Sequence, residues 1–183
     1  MKIKNIISII TFVFFLLINT SFYSSAYSEQ KIAVLDVMKL LKESKAAISY
    51  KEQLNKIAKK YTEEEKAKAS EIQKKEEELL RQKATLTPEA FSDRKNAFEK
   101  TVIDFNRSRD SKRKALSKGE REAVGKIEVA VEKIVQEMIS SGEITIVIRK
   151  SAVILSKDDI DITTQVVEKL NKEISTIDVK VSP

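Results

Sequence analysis

Residues 78–98 of the chain are ELLRQKATLTPEAFSDRKNAF, and they contain the break between two long charged segments. Thr87 has a side-chain hydroxyl of the kind that caps helix N-termini. Pro88 follows at the first helical position, where its missing amide hydrogen costs nothing. The stretch therefore predicts that a second helix begins at Pro88, directly after the first one ends.

The segments on both sides of this break favour long helices. From about Met38 to Lys83 there is no glycine or proline, and strong helix formers dominate. The second helix should continue to about Ser140 and stop at Gly142, which fits a C-terminal glycine cap. Two long helices joined by so short a turn must be antiparallel neighbours, so we expect a hairpin on the order of 60 Å long.

Apolar residues are unevenly distributed along this hairpin. The apolar stripe along the first helix thins out within the TEEEKAKASE segment at 62–71. In the second helix, a basic stretch extends from Arg107 to Arg121. Neither segment can bury a wide face. Near the base, in contrast, the apolar residues of the second helix alternate steps of three and four, as in coiled coils: Val124, Ile127, Val131, Ile134 and Met138. We expect an arm that is well packed at its base and exposed along its shaft.

Short apolar segments flank the hairpin. KIAVLDV at Lys31–Val37 predicts a strand, and a second strand follows Gly142. Ala152–Leu155 should form a further strand after an Arg149-Lys150-Ser151 turn. An amphipathic helix then begins with Asp161 as N-cap and buries four apolar residues: Ile162, Val166, Val167 and Leu170.

These elements predict an α+β fold that is mostly α, with the hairpin projecting from a small β-sheet base. So few strands make a poor independent core, and exposed strand edges must be covered. We therefore expect the base to oligomerise through seven residues of its strands: Val34, Leu35, Ile144, Ile146, Ile148, Val153 and Leu155.

The N-terminus predicts a secretory signal peptide, since Lys2 and Lys4 precede an apolar run that is too short to span a bilayer. Cleavage is expected after Ala26 or Ser28. The predicted organisation is a signal peptide at 1–28, a base formed by 29–44 and 140–183, and a hairpin arm at 45–139 with its tip near 84–90.

Composition excludes most familiar enzyme mechanisms. The chain has no cysteine, histidine or tryptophan, which removes thiolate and imidazole chemistry and the usual zinc sites. We expect no enzyme activity, no catalytic or metal site and no cofactor. A sequence pI near 9.3 would suit nucleic acid, but a signal peptide would separate the chain from DNA, so no nucleic acid partner is expected.

The order of these segments resembles the Skp/OmpH family of periplasmic chaperones. The strongest local match is Ala152–Thr163, AVILSKDDIDIT, where an apolar strand leads into an acidic pair and Asp161-Ile162-Thr163. The resemblance implies a periplasmic homotrimer whose strands assemble a β-barrel base and whose arms hold unfolded outer-membrane proteins without nucleotide. The alternative is a structural coiled-coil spacer of the cell envelope.

Two sets of arm residues are candidates for binding such clients. Apolar contacts with clients are predicted near the tip and on the shaft, from Leu79, Leu86, Phe91, Phe98 and Phe105. The heptad-spaced Phe98 and Phe105 could equally fill the seam between the two helices. The second set is basic: Arg107, Arg109, Lys112, Arg113 and Lys114. These residues would attract acidic clients, lipopolysaccharide phosphates or a membrane surface. The alternative is that they form an ordinary solvated helix face.

Overall fold

The computed structural model describes residues 30–182, so the predicted signal peptide lies outside the described residues. Within these residues, two short strands, four α-helices and two 3₁₀ turns follow one another. In order they are β1 (Ile32–Leu35), α1 (Val37–Glu43), α2 (Lys45–Gln82), α3 (Pro88–Ser140), β2 (Ile146–Arg149), the 3₁₀ turns Lys150–Ala152 and Asp158–Ile160, and α4 (Thr163–Glu173).

The predicted hairpin is present and begins where the sequence places it. Thr87 is the N-cap of α3, and its Oγ1 accepts a hydrogen bond from the amide of Ala90 at 3.3 Å, with Pro88 in the first helical position. At ~1.5 Å per residue, α2 is about 57 Å long and α3 about 80 Å. The predicted mostly helical α+β fold is confirmed.

The other end of α3 also stops as predicted. Gly142 has φ of +76°, a left-handed conformation that only glycine adopts without strain. The amide of Gly142 donates to the carbonyl of Ile139, and that of Glu143 to the carbonyl of Met138, both at 3.1 Å. This pair of bonds is a Schellman motif, which satisfies the last carbonyls of the helix.

The helical region expected from about Met38 to Lys83 is interrupted at Ser44, and the first helix of the arm begins at Lys45. Ser44 is buried, and its Oγ accepts a hydrogen bond from the amide of Ala47 at 3.3 Å. It thereby caps α2 and separates it from α1. The first strand is also shorter than predicted, since Asp36 leaves it to cap α1 through the amide of Lys39.

β1 is the centre of the small sheet. It pairs in parallel with β2, with register from Ile32 opposite Ile146 to Leu35 opposite Arg149. On its other side, the amide of Ile162 donates to the carbonyl of Val34 at 3.0 Å. Both edges of β1 are therefore occupied within one chain.

The predicted strand at Ala152–Leu155 does not form in this chain. A 3₁₀ turn at Lys150–Ala152 follows β2 instead. Tight hairpin turns need positive φ angles. Among residues 30–182 only Gly142 has one, and the Arg149-Lys150-Ser151 segment contains no residue that favours it. The chain therefore does not fold back antiparallel against β2.

The hydrophobic core lies at the base, between α1, the start of α2, the end of α3 and α4. The predicted face of α4 is confirmed, with Ile162, Val166, Val167 and Leu170 all buried. Asp161 lies one residue before the N-cap position, which Ile162 occupies, although its carboxylate still accepts from the amide of Thr163. No helix within residues 30–182 is both long and apolar enough to cross a membrane.

Candidate functional site

The arm differs from the base in how little of it is buried. No residue from 51 to 114 is buried, whereas the core resumes at Ala115 and continues through Met138. The hairpin therefore leaves the core behind after about two turns of α2. Beyond that level, its surface is available for contacts other than folding.

The five predicted apolar client residues all lie in this unburied part of the arm. Each of them is half-buried: Leu79, Leu86, Phe91, Phe98 and Phe105. Leu79 and Phe98 line one groove across the seam. Gln82 and Arg94 flank this groove, and the Arg94 guanidinium donates to the Gln82 side-chain carbonyl.

Halfway along the arm, ion pairs and cation–π contacts replace apolar packing between the helices. The Lys112 ammonium lies 2.7 Å from Glu64 and 5.0 Å from the ring centre of Tyr61. Its hydrogen bond is the main reason that the pKa of Glu64 lies below its usual value. Arg109 lies 3.6 Å from Glu65 and 5.6 Å from the ring centre of Phe105.

These cross-helix pairs could have been predicted by counting residues outward from the turn. In an antiparallel hairpin that turns at 83–87, the acidic run Glu63–Glu65 comes opposite the basic stretch in α3. The structure brings Arg109 and Lys112 into the seam, so they are anchored to α2.

The other three predicted basic residues point outward from the arm. Arg107, Arg113 and Lys114 are exposed, and none of them takes part in the ion pairs formed within residues 30–182. Arg107 and Lys114 are seven residues apart and so lie on the same helix face. These three cations are the part of the basic stretch that can meet another molecule without breaking a contact.

Two exposed apolar residues in the unburied part of the arm, between 51 and 114, are absent from the predicted set. Leu80 is 63% exposed and Ile103 is 49% exposed, one on each helix of the hairpin. Both fall outside the seam, and an apolar residue that interrupts the polar face of an amphipathic helix was the signal that could have identified them.

The seven predicted oligomerisation residues fall into three groups. Val34, Leu35 and Ile144 are buried within the chain itself, and Ile148 and Val153 are half-buried. Ile146 is half exposed and Leu155 is 90% exposed. Ile154, which was not predicted, is fully exposed next to Leu155.

An ion pair between Lys150 and Asp161 fixes the loop that carries these exposed residues. Lys150 Nζ lies 2.6 Å from Asp161 Oδ2, and Asp161 Oδ1 accepts from the amide of Thr163 at 2.9 Å. Burial raises the pKa of Asp161, but the hydrogen bonds from Lys150 and Thr163 together outweigh it and lower that pKa to about 2. The same contact raises the pKa of Lys150.

Known proteins are similar to this chain in sequence and in fold. Residues 31–170 match the family described as outer membrane protein (OmpH-like). A Skp-like protein from Pseudomonas aeruginosa is 29% identical over 159 residues, which cover 81% of this chain and 88% of the relative.

A crystal structure from Caulobacter crescentus CB15, described as an outer membrane chaperone (OmpH-like), has the same fold. It superposes with a TM-score of 0.76 at 16% identity, over 84% of this chain and 91% of that chain. The family resemblance predicted from the sequence is confirmed. Since the matched residues extend from β1 through the whole hairpin into α4, this chain belongs to the OmpH-like family.

Proposed function

We propose that the processed protein is an ATP-independent holding chaperone, which binds unfolded outer-membrane β-barrel proteins in the periplasm and keeps them from aggregating. The family match and the similar proteins support a chaperone of this class. Export through a cleaved signal peptide at 1–28 is part of the proposal, and the N-terminal sequence of the periplasmic protein tests it.

The observation that carries the proposal is the absence of buried residues between 51 and 114. A hairpin of that length, with half-buried apolar residues in its seam and exposed Leu80 and Ile103 outside it, offers many small apolar contacts. Each contact is weak, but several arms that act on one chain bind strongly through multivalency. Such binding needs no fixed client geometry.

Suppression of aggregation tests this function directly. A urea-unfolded β-barrel protein is diluted into buffer with the processed protein, and light scattering is recorded with and without ATP. We expect scattering to fall in both conditions and to the same extent. If scattering is not reduced, the protein is better described as a structural coiled-coil spacer of the envelope.

The exposed cations support a role in attracting acidic clients. Replacement of Arg107, Arg113 and Lys114 by Gln should slow client association at low salt, since exposed charges steer encounters. The control replaces Lys39, Lys42 and Lys172, three exposed lysines of the base, and makes the same change in net charge. The difference between the two variants should vanish near 1 M salt, where the screening length is about 3 Å. Equal rates at low salt would identify a solvated helix face.

We further propose that three copies assemble through the base, with the unpaired side of β2 and the exposed residues Ile154 and Leu155 at the interface. An apolar pair so exposed is unfavourable on an isolated chain. Light scattering coupled to size exclusion should give three times the chain mass. The I154S/L155S variant should give the mass of one chain, while the control K157S/D159S, which changes exposed polar residues of the same loop, should remain trimeric.

A further inference from the structure

The C-terminal tail after α4 crosses back over the base of the arm. The tail begins where Glu173 lies 3.4 Å from Lys133 of α3. Further along, the Asp178 carbonyl accepts from Lys126 Nζ at 3.4 Å, and two tail valines reach Gly119. The tail therefore follows α3 towards the tip of the arm. The region that matches the family ends at residue 170, so this segment lies beyond it.

Burial along the tail alternates from residue to residue. Ile177 is only 4% exposed, and Val179 and Val181 are half-buried, whereas Asp178, Lys180 and Ser182 are exposed. A period of two is the side-chain pattern of an extended strand. The tail thus lies on the helices as an extended segment with its apolar side facing the arm.

Gln53 of α2 holds the main chain of the tail. Its Nε2 donates to the Ile177 carbonyl at 2.7 Å, and its Oε1 accepts from the Val179 amide at 3.1 Å. The two bonds lie on either side of Asp178. Because both go to backbone groups, this clamp recognises an extended chain and is indifferent to the side chain that it brackets.

Gly119 makes room for the apolar side of the tail. A Cβ atom at this position would lie 3.0 Å from methyl groups of both Val179 and Val181, and 3.6 Å from a methyl group of Leu54. Glycine is a poor helix former, and Gly119 lies in the middle of α3. The close approach of the tail gives this glycine a packing role.

We propose that this groove, formed by Gln53, Leu54, Gly119 and Lys126, binds extended polypeptide segments that have an apolar side chain at every second position. The C-terminal tail occupies it in cis. Membrane strands of outer-membrane β-barrels have that alternation, so the tail imitates a client strand. This inference rests on the proposed chaperone function, and it adds a sequence-tolerant site at the base of each arm. A tethered tail has a high effective concentration, so a client segment must displace it.

Peptide binding tests the groove in the full processed chain. The probe is a fluorescent peptide with the sequence of residues 174–182, ISTIDVKVS, and its anisotropy is measured. The variant V179D/V181D places two carboxylates against Gly119 and should release the tail. The control T176D/S182D adds the same charge at exposed tail positions. We expect the first variant to bind the peptide at least tenfold more tightly than the wild-type protein or the control.

Two further comparisons separate the groove from non-specific binding. A peptide of the same composition with its isoleucines and valines made consecutive should bind at least tenfold more weakly. Adding Gly119→Leu to V179D/V181D should abolish binding while helicity is retained, since leucine is a better helix former than glycine. Absence of saturable binding by V179D/V181D, or equal binding of both peptides, would overturn the inference.

A measurement on the wild-type protein does not depend on any variant folding. Hydrogen exchange of the Val179 amide, which Gln53 protects, should accelerate when an unfolded β-barrel protein is bound. If the exchange rate of the Val179 amide is unchanged when the protein is saturated with unfolded β-barrel protein, the proposed binding groove is wrong. If the wild-type protein suppresses aggregation and V179D/V181D binds no peptide, the groove alone is refuted. If the wild-type protein suppresses no aggregation, the proposed function itself fails.

Discussion

Asp161 shows how single side chains close the base. Its backbone forms a parallel bridge with Val34 of β1, and its carboxylate accepts hydrogen bonds from Lys150 and Thr163. One residue therefore connects the central strand, the 3₁₀ turn after β2 and the start of α4. Hydrogen bonds from Lys150 and Thr163 favour the charged form of this partly buried carboxylate.

Acid should weaken the contribution of Asp161 to stability. The folded pKa, about 2, lies below the ordinary value of 3.8, so the unfolded chain binds more protons between these values. The contribution is therefore fully present above about pH 4 and is lost as the pH falls towards 2. At neutral pH it amounts to roughly 2 kcal/mol.

The variant Asp161→Asn tests this dependence by urea unfolding at a fixed protein concentration. It should be less stable than the wild-type protein at pH 7, and the difference should shrink at pH 2.5. The control Asp159→Asn removes an exposed carboxylate of the same loop, and we expect little change at either pH. A stability difference for Asp161→Asn that is constant from pH 7 to pH 2.5 would contradict the assignment.

The two helical glycines of α3 should respond differently to replacement by alanine. At Gly125 an added Cβ meets no atom within 4 Å, so Gly125→Ala should stabilise the protein by about 1 kcal/mol through helix propensity. At Gly119 the same gain is opposed by displacement of Val179 and Val181. Urea midpoints should therefore rise more for Gly125→Ala. Equal increases would mean that the tail does not pack against Gly119.

At the scale of elements, local signals in the sequence were sufficient to predict the arm. The cap at Thr87, the proline after it and the glycine at 142 act through their immediate neighbours, so their effects can be predicted without knowledge of the rest of the fold. The coiled-coil spacing from Val124 to Met138 likewise predicted the buried side of α3, where Ile127, Ile134 and Met138 are buried.

The elements that sequence analysis missed depend on distant partners. Ser44 breaks the first helix where the chain enters the core, and the amide of Lys45 donates a hydrogen bond to the side-chain oxygen of Asn171 in α4. Ala152–Leu155 does not pair with β2, because a 3₁₀ turn forms at Lys150–Ala152, in which Lys150 contacts Asp161, next to α4. The residues that contact clients could not be predicted either. The spacing of apolar residues along a helix does not show whether a side chain lies in the seam or faces solvent.

The cap of α3 should control order at the tip of the arm. Thr87→Ala removes the hydroxyl that accepts from the amide of Ala90, and a lost N-cap costs about 1 kcal/mol. Because the tip is far from the core, the loss should appear locally. Hydrogen exchange at residues 89–91 should accelerate severalfold, while the global urea midpoint stays nearly constant. The control Thr85→Ala should leave these amides unchanged, and a large fall in the global midpoint would contradict local fraying.

The packed base and the unburied arm differ in what their apolar residues do. Core contacts from Leu40 to Leu170 keep the base folded, so the arm can expose apolar side chains without loss of the fold. A client that is held at many weak points can remain unfolded and be released without an energy source. The strength of holding should then depend on apolar residues that contribute little to the stability of the arm.

Replacing Leu80 and Ile103 tests whether exposed apolar residues of the arm hold clients without stabilising the fold. Both are largely exposed, so L80S/I103S should leave the urea midpoint nearly unchanged. Aggregation suppression should require about tenfold more protein, since each apolar side chain buried against a client contributes on the order of 1 kcal/mol and the arms act together. The control K100S/D104S changes two exposed polar residues nearby and should protect clients as well as the wild-type protein.

Replacing residues in the seam between the two helices should, in contrast, change the stability of the arm. Leu79 and Phe98 are half-buried and line one groove across the two helices, so L79S/F98S should loosen the distal arm, with faster hydrogen exchange there. If L79S/F98S lowers client protection and L80S/I103S does not, clients bind along the seam. If neither pair matters, apolar contact with the arm is not how clients are held. The exposed pair therefore decides whether the outer faces or the groove between the helices carry the chaperone surface.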